Sequence, residues 1–290
     1  MRPTMVRSLL LAAAATHGAC MVVMAPGVDA VKSKMLQVAA LTDRGQRLNA
    51  LVAPTYQDKR ETMEELVGEL KEAQSSISAS ALSGEWELVY SSVEIFRSSP
   101  FFLAIEEALN NSPGIPTLGR WLGAEDPAKK AEVFFKLHML QVLSWGTSTV
   151  GRVAQRIDFE KGELESEFDT VIFGLTVIPI VGWFKLLPTF GGRVVTVADG
   201  VKLEEDGTIS MTLQTTRVVT CPDVPRIPLV DKLFMDRTYP VNSVWRLLPW
   251  NGGPFEGRQP TCAMQTVYVD ETMRVSRDGA GALFVYTRPV

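Results

Sequence analysis

Two periods of hydrophobic and polar positions run along the chain, and the change from one to the other organises it. From Lys34 to Leu51 the apolar residues Leu36, Ala39, Ala40, Leu48 and Leu51 fall at near-helical spacing. From Asp58 to Gln74, Met63, Leu66, Val67 and Leu70 do the same amid Glu and Lys, and Pro54 breaks the chain between the two. Each segment predicts a surface helix that docks one apolar stripe. Ser75 to Ser83 reads as a Ser/Ala linker. Glu85-Trp86-Glu87-Leu88-Val89-Tyr90 then alternates and is rich in aromatics, which predicts a first strand.

Pro100 to Asn110 predicts a short helix, and Asn110 to Gly123 a loop. Asp126-Pro127 is a helix start, with an N-cap acid and a proline in the first turn. Val133, Phe134, Leu137, Leu140 and Leu143 form the apolar face of that helix before Gly146 ends it. His138 stands among them, a position more typical of a packed histidine than of a catalytic one. Beyond Ser148 the period becomes two. Val153, Gln155, Ile157 and Phe159 share a face, and after Glu160-Lys161-Gly162 so do Leu164, Ser166, Phe168, Thr170 and Ile172. Arg152 and Arg156 on the opposite face can meet Glu163, Glu165, Glu167 and Asp169. That ladder is either a solvated strand face or a cation site.

A second hairpin runs from Arg193 to Leu203, turns at Glu205-Asp206-Gly207, and returns with Ile209, Met211, Leu213, Thr215 and Arg217 on one face. Residues 221–263 are Pro-rich and irregular. Met264 to Val269, Met273 to Ser276 and Leu283 to Thr287 predict three closing strands. The sum is a mainly β chain: an antiparallel up-and-down β-barrel of about eight strands with N-terminal and inserted α-helices, able to hold one small ligand. Gln155, Ile157, Phe168, Met211 and Leu213 are the expected interior contacts for a lipid or other hydrophobic small molecule.

Composition narrows the chemistry. At 290 residues with 46% apolar and 21% charged, the chain can bury a real core and is neither disordered nor a multi-span membrane protein. The net charge of −4, without a basic block, argues against a nucleic-acid partner. Two histidines and three cysteines with no CxxC pair lack zinc spacing, so neither metal nor other cofactor is expected. No GxSxG elbow, glycine-rich phosphate loop or HExxH motif is present, and catalytic residues are not predicted. Cys221 and Cys262 flank the irregular segment as a bridge or as free thiols.

Ser8 to Ala25 is uncharged and follows Arg2 and Arg7, which reads first as a signal peptide cut near Val28-Asp29-Ala30. A membrane-anchoring helix and a plastid transit peptide are the alternatives. The expected organisation is a targeting segment over 1–30, helices over 31–80 and a barrel domain over 81–290. Val171 to Phe184 is also uncharged but is shorter than the roughly 20 residues that span a bilayer, and Gly174, Pro179 and Gly182 interrupt it. It is either a buried strand plus turn or a hydrophobic lip that meets a membrane through Ile178, Ile180, Trp183 and Phe184.

Four segments carry a resemblance. Leu82-Ser83-Gly84-Glu85-Trp86-Glu87-Leu88-Val89-Tyr90-Ser91-Ser92 resembles the opening strand of the plastid lipid-associated proteins, the fibrillins. Tyr268 to Arg277 with Leu283-Phe284-Val285-Tyr286 resembles their closing signature; Ala154-Gln155-Arg156-Ile157-Asp158 and Leu41-Thr42-Asp43-Arg44-Gly45 are similar to two further family segments. Val269, Met273 and Val275 depart from the aliphatics usual in the closing signature, and residues 100–147 are longer and more helical than the common pattern. The resemblance implies a lipocalin-like barrel that binds or organises lipids, prenylquinones or carotenoids at thylakoids or plastoglobules without catalysis. It also implies a plastid location, which this leader would reach through the secretory route. Trp86 is then the closure residue, covered by Arg288 or by Arg277. The competing expectations are a lipocalin-type isomerase or epoxidase acting on a carotenoid or fatty acid, and a peripheral thylakoid-complex subunit.

Overall fold

The computed structural model describes residues 27–49, 56–110, 116–121, 128–143, 149–171, 191–220, 235–245 and 259–290, with a few single positions between them. Nine strands form one antiparallel sheet: β1 (Gly84–Ser91), β2 (Thr149–Asp158), β3 (Glu163–Val171), β4 (Gly191–Leu203), β5 (Thr208–Val219), β6 (Arg237–Pro240), β7 (Thr261–Val269), β8 (Met273–Arg277) and β9 (Leu283–Thr287). Their order is β4-β3-β2-β1-β9-β8-β7-β5-β6, and β4 also pairs with β5. Eight strands therefore close into a lipocalin-like up-and-down barrel, which leaves β6 as an extra strand. β5 makes this possible by splitting its edge: Thr208–Thr212 pair with β7, whereas Thr215–Val218 pair with β6.

Inward positions follow the expected alternation on β2 and β3, where Val153, Gln155 and Ile157 face the same interior as Leu164, Ser166 and Phe168. On β5 the alternation breaks. Val197 pairs with Thr215 and Ala198 with Leu213, so Gln214 is an extra residue, and the buried set changes from Ile209, Met211 and Leu213 to Thr216 and Val218. Thr215 and Arg217 therefore do not share the face of Met211.

The first predicted helix is displaced. Helix α1 covers Val28–Leu41 and α2 covers Gln57–Ala73; Gln46–Asn49 form only a 3-10 turn. The expected cleavage tripeptide Val28-Asp29-Ala30 is the first turn of α1, so the boundary at residue 30 falls inside a helix. What stops α1 is a left-handed run: Asp43, Arg44 and Gly45 have φ of 51°, 57° and 85°. Thr42 Oγ1 donates to Val38 O (2.8 Å) and accepts from Gly45 N (3.0 Å), and Arg44 O accepts from Ser91 N (3.0 Å). The Arg44 guanidinium reaches the carbonyls of Val150 and Gly151, both at 2.7 Å. This turn fastens the helices to the ends of β1 and β2. Their apolar stripes (Val31, Met35 and Val38; Met63, Leu66, Val67 and Leu70) pack on the outward side chains Tyr90, Tyr268, Met273, Val275, Leu283 and Val285.

Three regions predicted to be irregular carry short elements. Within the Ser75–Ser83 linker lies α3 (Ala79–Leu82), capped by Ser78, whose Oγ accepts from Ala81 N at 3.2 Å. The predicted loop after Asn110 contains α5 (Pro116–Trp121), and the Pro-rich segment contains β6 and α7 (Val241–Trp245). Helix α4 (Pro100–Asn110) has the expected bounds, whereas α6 (Lys130–Leu143) starts later than the expected Asp126-Pro127, where Asp126 instead closes a turn by accepting from Ala128 N (3.1 Å) and Lys129 N (3.0 Å). Both are core helices of the barrel mouth. Phe96, Phe101, Phe102, Phe134 and Phe135 cluster there, with the His138 ring 4.8 Å from Phe96.

Candidate functional site

One end of the barrel is closed around Trp86, which is fully buried and donates Nε1–H to Leu82 O at 2.8 Å. The Arg288 guanidinium lies 3.7 Å from its ring centroid, held by donation to Ala81 O (3.0 Å) and Glu85 O (3.2 Å). Gly84 has φ +105°, and a Cβ there would sit 2.5 Å from Arg288 Nη1, which gives the Gly-x-Trp spacing a physical cause. Desolvation lowers the pKa of Arg288. Arg277 is elsewhere: it donates to Gly281 O (2.9 Å) and pairs with Glu64 of α2, so it joins a helix to the β8–β9 turn instead of covering Trp86.

Inside the barrel, β2 to β5 present a polar belt at one level. Gln155 pairs with Ser166, Ser166 with Thr196, and Thr196 with Thr216, all inward and all buried. The belt ends on an arginine that nothing in the hydrophobic pattern singles out. On β8 the apolar residues Met273 and Val275 face outward under α1 and α2, while Arg274 and Ser276 face inward with no exposure. Arg274 lies over the Tyr286 ring at 4.0 Å and is 5.6 Å from Trp86. Its Nη2 donates to Gln155 Oε1 (2.5 Å), and Gln155 Nε2 donates to Ser98 O (2.9 Å).

Several buried polar atoms in this region have no hydrogen-bond partner: Arg274 Nε and Nη1, Tyr286 Oη, Ser276 Oγ, Thr266 Oγ1 and Ser166 Oγ. Strand register places Tyr286 directly across from Arg274, and Thr266 across from Ser276. The Tyr286 hydroxyl lies within electrostatic reach of the guanidinium and of Ser98. Burial pulls Arg274 down to about 10, which leaves it charged at neutral pH, and pushes the Tyr286 hydroxyl up to about 12. Each buried unpaired polar group costs roughly 1–3 kcal/mol, and those of Thr266, Arg274, Ser276 and Tyr286 lie on the adjacent strands β7, β8 and β9.

Of the expected interior contacts, Gln155 belongs to this constellation, and Ile157, Phe168, Met211 and Leu213 line the apolar wall with it. Met211 also borders a groove of about 450 Å³ beside the β5–β7 seam, shared with Glu107, Lys202, Thr212 and Cys262. Ile178, Ile180, Trp183 and Phe184 lie outside the described residues, as do the leader up to residue 26 and Cys221. Cys262 is a buried free thiol.

A second buried polar cluster sits at the mouth. Arg97 follows β1 in a 3-10 turn and meets Glu106 of α4 (2.6 Å), Glu132 of α6 (3.5 Å) and Glu94 (3.7 Å), with the Phe135 ring centroid at 4.1 Å. Desolvation, reinforced by Asp278 of the β8–β9 turn and by Glu132, raises the Glu106 carboxyl to about 7 against the pull of Arg97.

On the outer wall, Arg152 is shared by Glu85, Glu87 (2.5 Å) and Glu167 (3.3 Å), and Arg193 holds Asp169 (2.7 Å) and Glu167 (3.2 Å). Arginines neutralise these acids, as a solvated strand face requires, and such pairs add little stability. Among the described residues no group of three or more His, Cys, Asp and Glu side chains is arranged to hold a metal, and no helix is long and apolar enough to cross a membrane. No family model, curated protein or solved structure matches this chain.

Proposed function

We propose that this chain is a non-catalytic, plastid lipid-associated protein that takes a hydrophobic small molecule into its barrel and delivers or organises it at a thylakoid or plastoglobule surface. The observation that carries the reading is the division of the inner wall, apolar through Ile157, Leu164, Phe168, Met211 and Leu213 but polar at Arg274 and its neighbours. An amphipathic lipid has the same division. The resemblance of the Trp86 strand and of the closing strands to fibrillins supports the same reading, and the segment around Ile178 to Phe184 is the proposed membrane contact.

The test is to purify the full chain, extract it with organic solvent and identify the lipids released, then offer the stripped protein a plastid-lipid extract. Near-stoichiometric recovery of a lipid, prenylquinone or carotenoid is expected. Finding none in either step overturns the proposal. For the membrane contact, Ile180→Asp with Trp183→Asp should release the protein from plastid-lipid vesicles that high salt does not strip.

A second reading, an isomerase that moves a proton on a carotenoid or fatty acid, draws on Glu106. Its raised pKa beside Asp278 suits acid–base work near neutral pH. Isomerised product that forms with the wild type and disappears with Glu106→Gln would favour it.

A further inference from the structure

Among the described residues two arginines are deeply buried, and their surroundings are opposite. Arg97 is met by three carboxylates. Arg274, with no exposed surface at all, has the neutral oxygen of Gln155 as its hydrogen-bond acceptor and the faces of two aromatic rings as its remaining electron-rich contacts. A guanidinium stripped of water and given no counter-charge is among the costliest groups to bury, and removing the water is repaid only by excellent pairing. Rings and one amide repay part of that cost. They leave Nε and Nη1 with hydrogens and nothing to give them to.

We propose that Arg274 is the head-group anchor of the barrel and takes the carboxylate of a long-chain fatty acid, with the hydroxyls of Tyr286, Ser276 and Thr266 as further donors. This rests on the lipid-binding reading above and names its ligand class. Three features select a carboxylate. Arg274 is the guanidinium with unpartnered donors, Arg288 being engaged by the Ala81 and Glu85 carbonyls, and one such group balances the one negative charge that a fatty acid carries and a phosphate monoester exceeds. The unpartnered groups that surround it can all donate, and an ionised carboxylate accepts at both oxygens. Trp86, Tyr286 and Gln155 around it are buried, so a carboxylate there is paired without competition from bulk water.

Entry requires the carboxylate to replace Gln155 Oε1 as the acceptor of Nη2, and Gln155 keeps its own bond to Ser98 O. The tail then follows the wall past Ile157 toward Phe168, Met211 and Leu213. Met211 and Met264, unbranched and adaptable, are the side chains best able to repack around it. Tyr286 is directly across from Arg274 in the strand register, so it senses the same head group.

The experiment compares oleate with methyl oleate, which has the same tail but no charge, on the delipidated full chain by displacement of a fluorescent fatty acid and by thermal shift. Oleate should bind about tenfold tighter or more. Arg274→Gln should bring the ratio close to one while keeping methyl oleate affinity. Tyr286→Phe, a smaller change that keeps the ring, should weaken oleate alone and serves if the arginine variant does not fold. Equal binding of oleate and methyl oleate to the wild type overturns the carboxylate site but leaves the lipid-binding reading standing. Dodecyl phosphate that competes as well as oleate also overturns the assignment. Binding of neither oleoyl compound, together with empty solvent extracts, overturns both.

Discussion

Arg288 covers Trp86, its guanidinium carbon 3.7 Å from the ring centroid, and the segment that follows β9 thereby seals the first barrel strand. Because the indole is fully buried and its N–H is satisfied by Leu82 O, truncation leaves a cavity and an orphan acceptor together. Trp86→Ala should destabilise by about 3–5 kcal/mol. Arg288→Ala should cost about 0.5–2 kcal/mol. Urea unfolding of the two variants checks the ranking. A Trp86 variant that melts like wild type yet loses lipid would make the indole a ligand contact instead.

Gly45 approaches β1 so closely that a Cβ would lie 2.0 Å from Ser91 O, and its φ of +85° is itself strained for any other residue. Gly45→Ala should therefore cost roughly 1–3 kcal/mol or more, since backbone on both sides must move. The loss should appear first as faster hydrogen exchange in α1 and α2, before the barrel strands lose protection. Uniform loss of protection would show that the helices and barrel unfold as one unit.

The reach of the sequence is clearest on β2 and β8. On β2 the apolar residues Val153 and Ile157 bracket Gln155 and put it inside, because only one face of that strand is covered. On β8 both faces are covered, the outer by α1 and α2, so Met273 and Val275 satisfy the hydrophobic pattern on the outside and conceal Arg274 within. Periodicity reports that a face is buried and not which side of the barrel buries it. The ends of α1 were hidden for another reason: the left-handed Asp43 and Arg44 are held by Ser91, Val150 and Gly151, partners far away in the chain. The extra Gln214 on β5 likewise becomes visible only through its neighbour β4. The regular hairpins and α4 were legible because local pattern alone decides them.

Cys262 is a free thiol whose pKa burial pushes up to about 12. At pH 8 its thiolate is then about one part in ten thousand, and thiolate is the reactive form. Native protein without reductant should leave Cys262 unlabelled by iodoacetamide, and urea should expose it to full labelling. A Cys221–Cys262 peptide in a non-reducing digest would contradict this and restore the bridge.

Glu106 makes stability fall as pH rises through neutrality. The groups that face it are Arg97 in the 3-10 turn, Glu132 on α6 and Asp278 between β8 and β9, and Glu94 shares Arg97 with it. Desolvation, with Asp278 and Glu132, keeps its proton to about pH 7, whereas the unfolded chain releases it near the ordinary glutamate value of 4.5. Between those two values the folded state binds more protons than the unfolded one. Raising pH across that window therefore removes stability, on the order of 1 kcal/mol, with little further change above it. Asp270 acts with the opposite sign. Its pKa is held low despite desolvation by Lys32, Tyr268 and the backbone of Thr272 and Met273, so its contribution is present at neutral pH and is lost only as pH falls below the ordinary aspartate range. The two effects occupy separate windows. Urea midpoints measured from pH 4.5 to 8 should decline for the wild type and stay nearly flat for Glu106→Gln, which keeps Glu94 and Glu132 around Arg97. A variant that retains the wild-type slope would show that Arg97 holds Glu106 ionised throughout, and the mouth cluster would then be a plain ion-pair network.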